Sequence, residues 1–188
     1  QYINNLFNND LSQLTAFEYF GYNCQLYMDN SEDFFTNTLD TGIYIQVPLY
    51  SEEIEHTSEI WFNILKDSDC NINLDEVIVL DSQSHREKFF ASRHSIPSNA
   101  WEMSTHLDTP NIMTDTIVPP KNFRKFLKLA HSLLQESNIE YVLFGHLGDC
   151  HLHFHFMPKL EQVPLAFEIY EDLVSISSKL GGVYSAEH

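Results

Sequence analysis

The stretch EYVLFGHLGDCHLHFHFMPK, Glu140 to Lys159, places four histidines between two apolar runs that meet at Gly148-Asp149. Each run is rich in β-branched and aromatic residues, and turn formers separate them, which predicts two antiparallel strands joined by a tight turn. Side chains alternate faces along a strand, so Leu152, Phe154 and Phe156 point one way while His151, His153 and His155 point the other. The first face predicts core; the second is left to solvent or to a site. With the turn centred on Asp149-Cys150, His146 falls opposite His153, their Cβ atoms about 4.5–5.5 Å apart. At that separation two imidazoles can share one ion. A half-buried strand with a polar outer face is the plain alternative, and it is the reading taken for His155. The stretch itself offers no third ligand.

Outward from this hairpin, strands and helices alternate. TAFEYF and GIYIQVPLY (Gly42–Tyr50) read as strands, as do the short DEVIVLD and the run IMTDTIVPP, which ends at a double proline. SEEIEHTSEIWFNILKD reads as a helix with Ser51 as N-cap and Ile54, Trp61, Ile64 and Leu65 on one stripe. SHREKFFASRHSIPSNAWEMS reads as helical with an interruption at Pro97. From Asn122, Phe123, Phe126, Leu127, Ala130, Leu133 and Leu134 recur at helical spacing. A last amphipathic helix carries Ala166, Ile169, Tyr170, Leu173, Ile176 and Leu180 and stops at Gly181-Gly182. The pattern predicts an α+β fold: an antiparallel sheet covered on one face by helices, in a ferredoxin-like arrangement used once or twice. A flavodoxin-like parallel sheet is the competitor, and the hairpin argues against it.

Composition narrows the function. Of 188 residues 43% are hydrophobic, enough for a folded core, and no repeat, low-complexity tract or linker divides the chain. Acids outnumber bases 27 to 10, giving a formal charge of −17, which argues against a nucleic-acid partner. An anionic ligand would need a local cationic focus, a metal or a placed arginine. Cys24, Cys70 and Cys150 are odd in number and scattered, which suggests neither a disulfide framework nor a cysteine zinc site and fits a cytoplasmic location. No membrane span or signal peptide is evident.

Four segments, in order along the chain, carry a family resemblance. FGHLGDCHLH is similar to the GHxGDGNLH signature of the C-terminal domain of FAD-linked oxidases. That group includes D-lactate dehydrogenases, D-2-hydroxyglutarate dehydrogenase and the flavin-containing subunit of glycolate oxidase. GGVYSAEH resembles the family's GGxxSxEHGxG motif up to its histidine, and ASRHSIP and TDTIVPPKNF resemble two weaker segments. The resemblance implies that residues 1–188 are a substrate-binding or cap domain, a fragment truncated at both ends. The FAD is held mainly by a separate FAD-binding domain, and no phosphate-cradling glycine loop is visible in this chain.

The resemblance also implies roles. The metal ligands map onto His146, His153 and Glu187, which supplies the missing third ligand for zinc, manganese or iron. His188 matches the catalytic base, and Arg93 the arginine that binds the carboxylate of a small 2-hydroxy acid. Two departures stand out. Cys150-His151 replaces the usual Gly-Asn, and Met113 replaces a substrate-contacting lysine. His151 is read as a substrate contact in the asparagine's place, or as a further ligand. Cys150, at a turn tip beside an imidazole, raises the question of a reactive thiol. The expectation is a domain of a flavin-dependent 2-hydroxy-acid dehydrogenase that is inactive in isolation, since no residue here can accept a hydride. A non-catalytic metal-binding or interaction domain on the same fold is the alternative. The ether-lipid synthase branch, whose motif is richer in histidine and lacks the glutamate, is disfavoured by SAEH.

Overall fold

The computed structural model describes residues 14–37, 41–48, 54–67 and 74–184. Its strands are β1 (Ala16–Phe20), β2 (Gly42–Gln46), β3 (Ile112–Met113), β4 (Thr116–Ile117), β5 (Glu140–His146) and β6 (His151–Met157). Its helices are a single turn, α1 (Cys24–Tyr27), then α2 (Ile54–Lys66), α3 (Gln83–His106), α4 (Pro120–Ser137) and α5 (Val163–Lys179). All six strands lie in one sheet of order β2-β1-β5-β6-β3, with β4 also on β6, and every pairing is antiparallel. The architecture is α+β, as the strand and helix patterns predict.

The hairpin pairs Phe144 with His153 and His146 with His151, so the loop is the four residues Leu147–Cys150 and His146 faces His151, not His153. The sequence reading placed the turn one residue further along. Cys150 closes the loop by donating its N–H to the Leu147 carbonyl at 3.0 Å, and it adopts a left-handed φ of 53°. That conformation costs a non-glycine residue roughly 1–2 kcal/mol. Inside the hairpin only glycine fits at position 145. Its φ is 147°, and an added Cβ would lie 2.5 Å from the His151 carbonyl oxygen.

Helices cover both faces of the sheet, not one. On the face of Tyr141, Leu143, Leu152, Phe154 and Phe156 pack Phe123, Phe126, Ala130 and Leu134 of α4 and Ala166, Ile169 and Leu173 of α5. On the opposite face Phe20, Val142 and Met157 meet Phe89, Ile96 and Ala100 of α3 and Cys24 and Tyr27 of α1. The α3 helix runs unbroken through Pro97, correcting the predicted interruption. Ser92, Ile96, Ala100 and Ser104 are buried at four-residue spacing along it, and this packing outweighs the lost hydrogen bond. Residues 77–81 form no strand; Ile78 and Val79 are exposed, and β propensity without a neighbouring strand does not make one. Trp61, Ile64 and Leu65 of α2 pack against the first core while Ile54 is exposed. Ser51 lies outside the described residues.

The histidine face of β6 is therefore interior. His151, His153 and His155 are 2%, 6% and 1% exposed, and the wet-face reading of His155 is corrected by α3 lying over it. Burial first, and then the nearby His153, lower the His155 pKa to about 4, and among the described residues neither ring nitrogen has a hydrogen-bond partner. Two unsatisfied buried polar atoms cost about 1–3 kcal/mol each. His155→Leu should thus raise stability by about 1–3 kcal/mol, seen as a higher urea midpoint at unchanged slope. A lower midpoint would show that the imidazole is satisfied in a way the packing does not reveal.

Candidate functional site

The site is a patch of the interior face where β1, β5, β6 and the β3–β4 segment lie side by side. Strand register builds it: Glu18 of β1 pairs with His146 of β5, which pairs with His151 of β6, which pairs with Ile117 of β4. Paired residues of antiparallel strands share a face, so Glu18, His146 and His151 form one row, with His153 two residues along. The three imidazoles cluster, with ring centroids 4.5 Å apart for His151 and His153, 5.8 Å for His146 and His151, and 6.0 Å for His146 and His153.

Glu18, like Thr114 and Asp115, is a site residue that the sequence does not single out. Its buried carboxylate accepts from Arg93 through Nη2 at 2.5 Å and Nε at 3.2 Å, and meets His146 Nδ1 at 2.9 Å. Burial would raise the Glu18 pKa, but the hydrogen bonds from His146 and Arg93 and their charge outweigh it, and the carboxyl lies below its ordinary value. Arg93 reaches the site from α3, and a small cavity bounded by Glu18, Phe20, Arg93, Ile96, Pro97 and Phe144 opens beside the pair. The signal for Glu18 was its place in TAFEYF, on the face opposite Phe17 and Tyr19.

The β3–β4 segment contributes Thr114 and Asp115. Both short strands keep one register on β6, from Ile112 opposite Phe156 to Ile117 opposite His151. Between them the Thr114 N–H donates to the Phe154 carbonyl at 3.0 Å, while its side-chain oxygen accepts from the Phe154 N–H at 3.1 Å. The hydroxyl thus stands in for the backbone acceptor, and the Thr114 carbonyl turns to His153 Nδ1 at 3.2 Å. Asp115 Oδ1 lies 2.6 Å from His151 Nε2. Asp115, His151 and His153 each bring one donor atom within 4.8 Å of the others, a set that suits a divalent ion. Met113 is half-buried in β3, opposite His155.

The six expected residues, then, stand as follows. His146, His151 and His153 come together, Arg93 joins them through Glu18, and Glu187 lies outside the described residues, as does His188. Val183 pairs with Ile117, the neighbour of His151, which brings the start of the GGVYSAEH motif to the edge of the site. Gly182 makes this approach possible, since an added Cβ would lie 2.1 Å from the Ile117 carbonyl oxygen. Cys150 is buried, and burial pushes its thiol up to about 12, which corrects the reactive-thiol reading.

The fold and site define an α+β domain with a histidine and carboxylate cluster inside its sheet face. Residues 51–188 match the family model described as FAD linked oxidases, C-terminal domain. The chain belongs to that family. It is similar to a D-lactate dehydrogenase from Archaeoglobus fulgidus, 34% identical over 74 residues, which are 39% of this chain and 17% of the relative. It is also similar to a D-2-hydroxyglutarate dehydrogenase from Haemophilus influenzae, 34% identical over 79 residues, 39% of this chain and 8% of the relative. The matched stretch is thus a small part of either relative's length. The family is one of flavin-linked oxidoreductases, and among the described residues no helix is long and apolar enough to cross a membrane.

Two outcomes check this geometry. Glu18→Gln leaves the half-buried Arg93 guanidinium without its counter-charge and should destabilise the protein by about 1–3 kcal/mol, read from the urea midpoint. Native Cys24 and Cys150 should escape iodoacetamide at pH 8 and react after unfolding, as seen by peptide mapping. Rapid native labelling of Cys150 would contradict its burial.

Proposed function

We propose that this chain is the substrate- and metal-binding domain of a flavin-dependent enzyme that oxidises a small 2-hydroxy acid to a 2-oxo acid. The observation that carries the reading is the convergence of Arg93, His146, His151 and His153 on one interior patch, inside a chain of the FAD-linked oxidase family. The two relatives bear the names of dehydrogenases of D-2-hydroxy acids, which supports that substrate class. Arg93 would bind the acid's carboxylate, where a guanidinium fork suits two parallel hydrogen bonds. His146, His153 and Glu187 would hold a divalent ion, zinc, manganese or iron, and the donor set of two imidazoles and a carboxylate fits any of them. The ion's chemistry is Lewis-acid polarisation of the substrate hydroxyl. Glu187 follows Val183 by four residues, a reach of at most about 14 Å from the strand edge. His188 would take the hydroxyl proton, and His151 would contact the substrate in the place of the family's asparagine. FAD, held mainly by an FAD-binding domain, supplies the hydride acceptor. The scattered cysteines favour a reducing, cytoplasmic setting.

One observation favours the alternative of a non-catalytic metal-binding domain: Glu18 already engages the Arg93 fork, so a substrate carboxylate has to compete for it. Turnover separates the two. The full-length protein with a dye acceptor should oxidise one of D-lactate, glycolate or D-2-hydroxyglutarate. Arg93→Ala should raise KM, and His188→Ala should lower kcat by about 10²–10⁴-fold. No turnover of any 2-hydroxy acid by a flavin-loaded protein would favour the non-catalytic reading.

A further inference from the structure

We infer that the cavity beside Arg93 is the subsite for the variable substituent on C2 of the hydroxy acid, walled by Phe20, Ile96, Pro97 and Phe144, and that it selects hydrogen or methyl there over a second carboxylate on a longer chain. The inference deepens the function proposed above and rests on its placing of the acid's carboxylate at Arg93. It gives a role to four apolar residues and narrows the acid to a short monocarboxylate.

Strand register lays an apolar row beside the polar one. Two residues along from Glu18, Phe20 pairs with Phe144, and Phe144 pairs with His153, so these three share the interior face with Glu18, His146 and His151. One turn of α3 supplies the opposite wall, with Arg93 followed at three and four residues by Ile96 and Pro97. The cavity is thus lined by Glu18 and Arg93 from the polar set and by Phe20, Ile96, Pro97 and Phe144 from the apolar set. Phe144 links the cavity to the histidines, since its ring centroid lies 5.5 Å from that of His153. In a 2-hydroxy acid, C2 carries the carboxylate, the hydroxyl, a hydrogen and one variable substituent. With the carboxylate at Arg93 and the hydroxyl at the histidines, C2 lies over Phe144. The hydrogen given up as hydride has to stay clear for its acceptor, which leaves the variable substituent to the apolar wall.

Size and charge then set the preference. The cavity's volume of about 20 Å³ admits one group about the size of a water molecule, which a methyl fills. Its walls resist displacement: Ile96 is fully buried and Phe20 nearly so, and Phe89 packs edge-on against Phe20 with ring centroids 5.6 Å apart. A chain-end carboxylate would lie against the apolar side chains or against Glu18, and Arg93 is the one cation among the described residues that line the cavity. Burying that charge unpaired costs more than burying its methylenes gains.

The full-length, flavin-loaded protein tests this with glycolate, D-lactate, D-2-hydroxyvalerate and D-2-hydroxyglutarate, each with a dye acceptor. The kcat/KM for D-lactate should exceed that for D-2-hydroxyglutarate by about 100-fold or more. Calorimetry on the same protein, without turnover, should show pyruvate bound more tightly than 2-oxoglutarate. Phe144→Ala enlarges the cavity and should raise the ratio of kcat/KM for D-2-hydroxyvalerate to that for glycolate by about tenfold. Pro97→Arg sets a cation at the cavity and should raise D-2-hydroxyglutarate relative to D-2-hydroxyvalerate by about tenfold. Arginine suits a helix interior better than proline, so this second variant keeps its fold. Near-UV circular dichroism reports folding in both. A preference of the unaltered protein for D-2-hydroxyglutarate over D-lactate, or an unmoved ratio in either folded variant, would overturn the subsite and leave the 2-hydroxy-acid reading standing. No turnover of any of the four acids and no binding of either oxo acid would overturn both.

Discussion

The burial of β6 on both faces is the constraint on which the rest of the structure depends. A strand whose one side is Leu152, Phe154 and Phe156 and whose other side is three histidines must find partners for the imidazoles once α3 covers them, because buried ring nitrogens cannot rely on water. Neighbouring strands supply those partners in order. Glu18 of β1 reaches His146, Asp115 reaches His151, and the Thr114 carbonyl reaches His153. His155 is the remainder, without a hydrogen-bond partner among the described residues and with its pKa lowered first by burial and then by His153. The polar groups concentrate at the turn end of the hairpin, and the apolar ones at its far end.

The backbone is adapted to the same requirement. Gly145 lets β5 approach β6 at a point where any side chain would strike the His151 carbonyl, and Gly182 lets the chain after α5 pair with β4. Thr114 exchanges a backbone acceptor for its hydroxyl and so turns a carbonyl into the site without leaving a strand N–H unpaired. Pro97 interrupts no packing. It lines the cavity beside Arg93, on a helix whose register is set by Ile96 and Ala100.

How far the sequence disclosed this depends on which physical signal each residue sends. Alternation in β5 and β6 and the helical periods of α4 and α5 are strong signals, and those elements form with the expected faces inward. Alternation does not say what covers the second face. The α3 helix buries two serines and an alanine among its inward residues, so hydropathy hides its packing side, and His155 reads as solvent-facing. The register error has a similar origin, because a four-residue loop and a two-residue turn are nearly indistinguishable when Cys150 occupies the left-handed position that glycine usually marks. Glu18 was passed over because a single acid in a short strand is what a wet face looks like. Val79 and its neighbours were overread because an apolar run shows propensity and not a pairing partner.

The charge balance of the patch bears directly on what it can bind. Two carboxylates, Glu18 and Asp115, stand with one guanidinium, Arg93, and each carboxylate also meets an imidazole, in a chain whose overall charge is strongly negative. Both carboxylates oppose an incoming carboxylate, and Arg93 offers it less while Glu18 engages its fork. A divalent cation at the histidine cluster would add positive charge there and favour an anion. In the proposed function the ion is thus an electrostatic precondition for binding the hydroxy acid, before any contribution it makes to loosening the hydroxyl proton. The order of binding follows: metal first, acid second, with the Glu18 to Arg93 pair giving way only when the incoming carboxylate offers the guanidinium an equivalent partner.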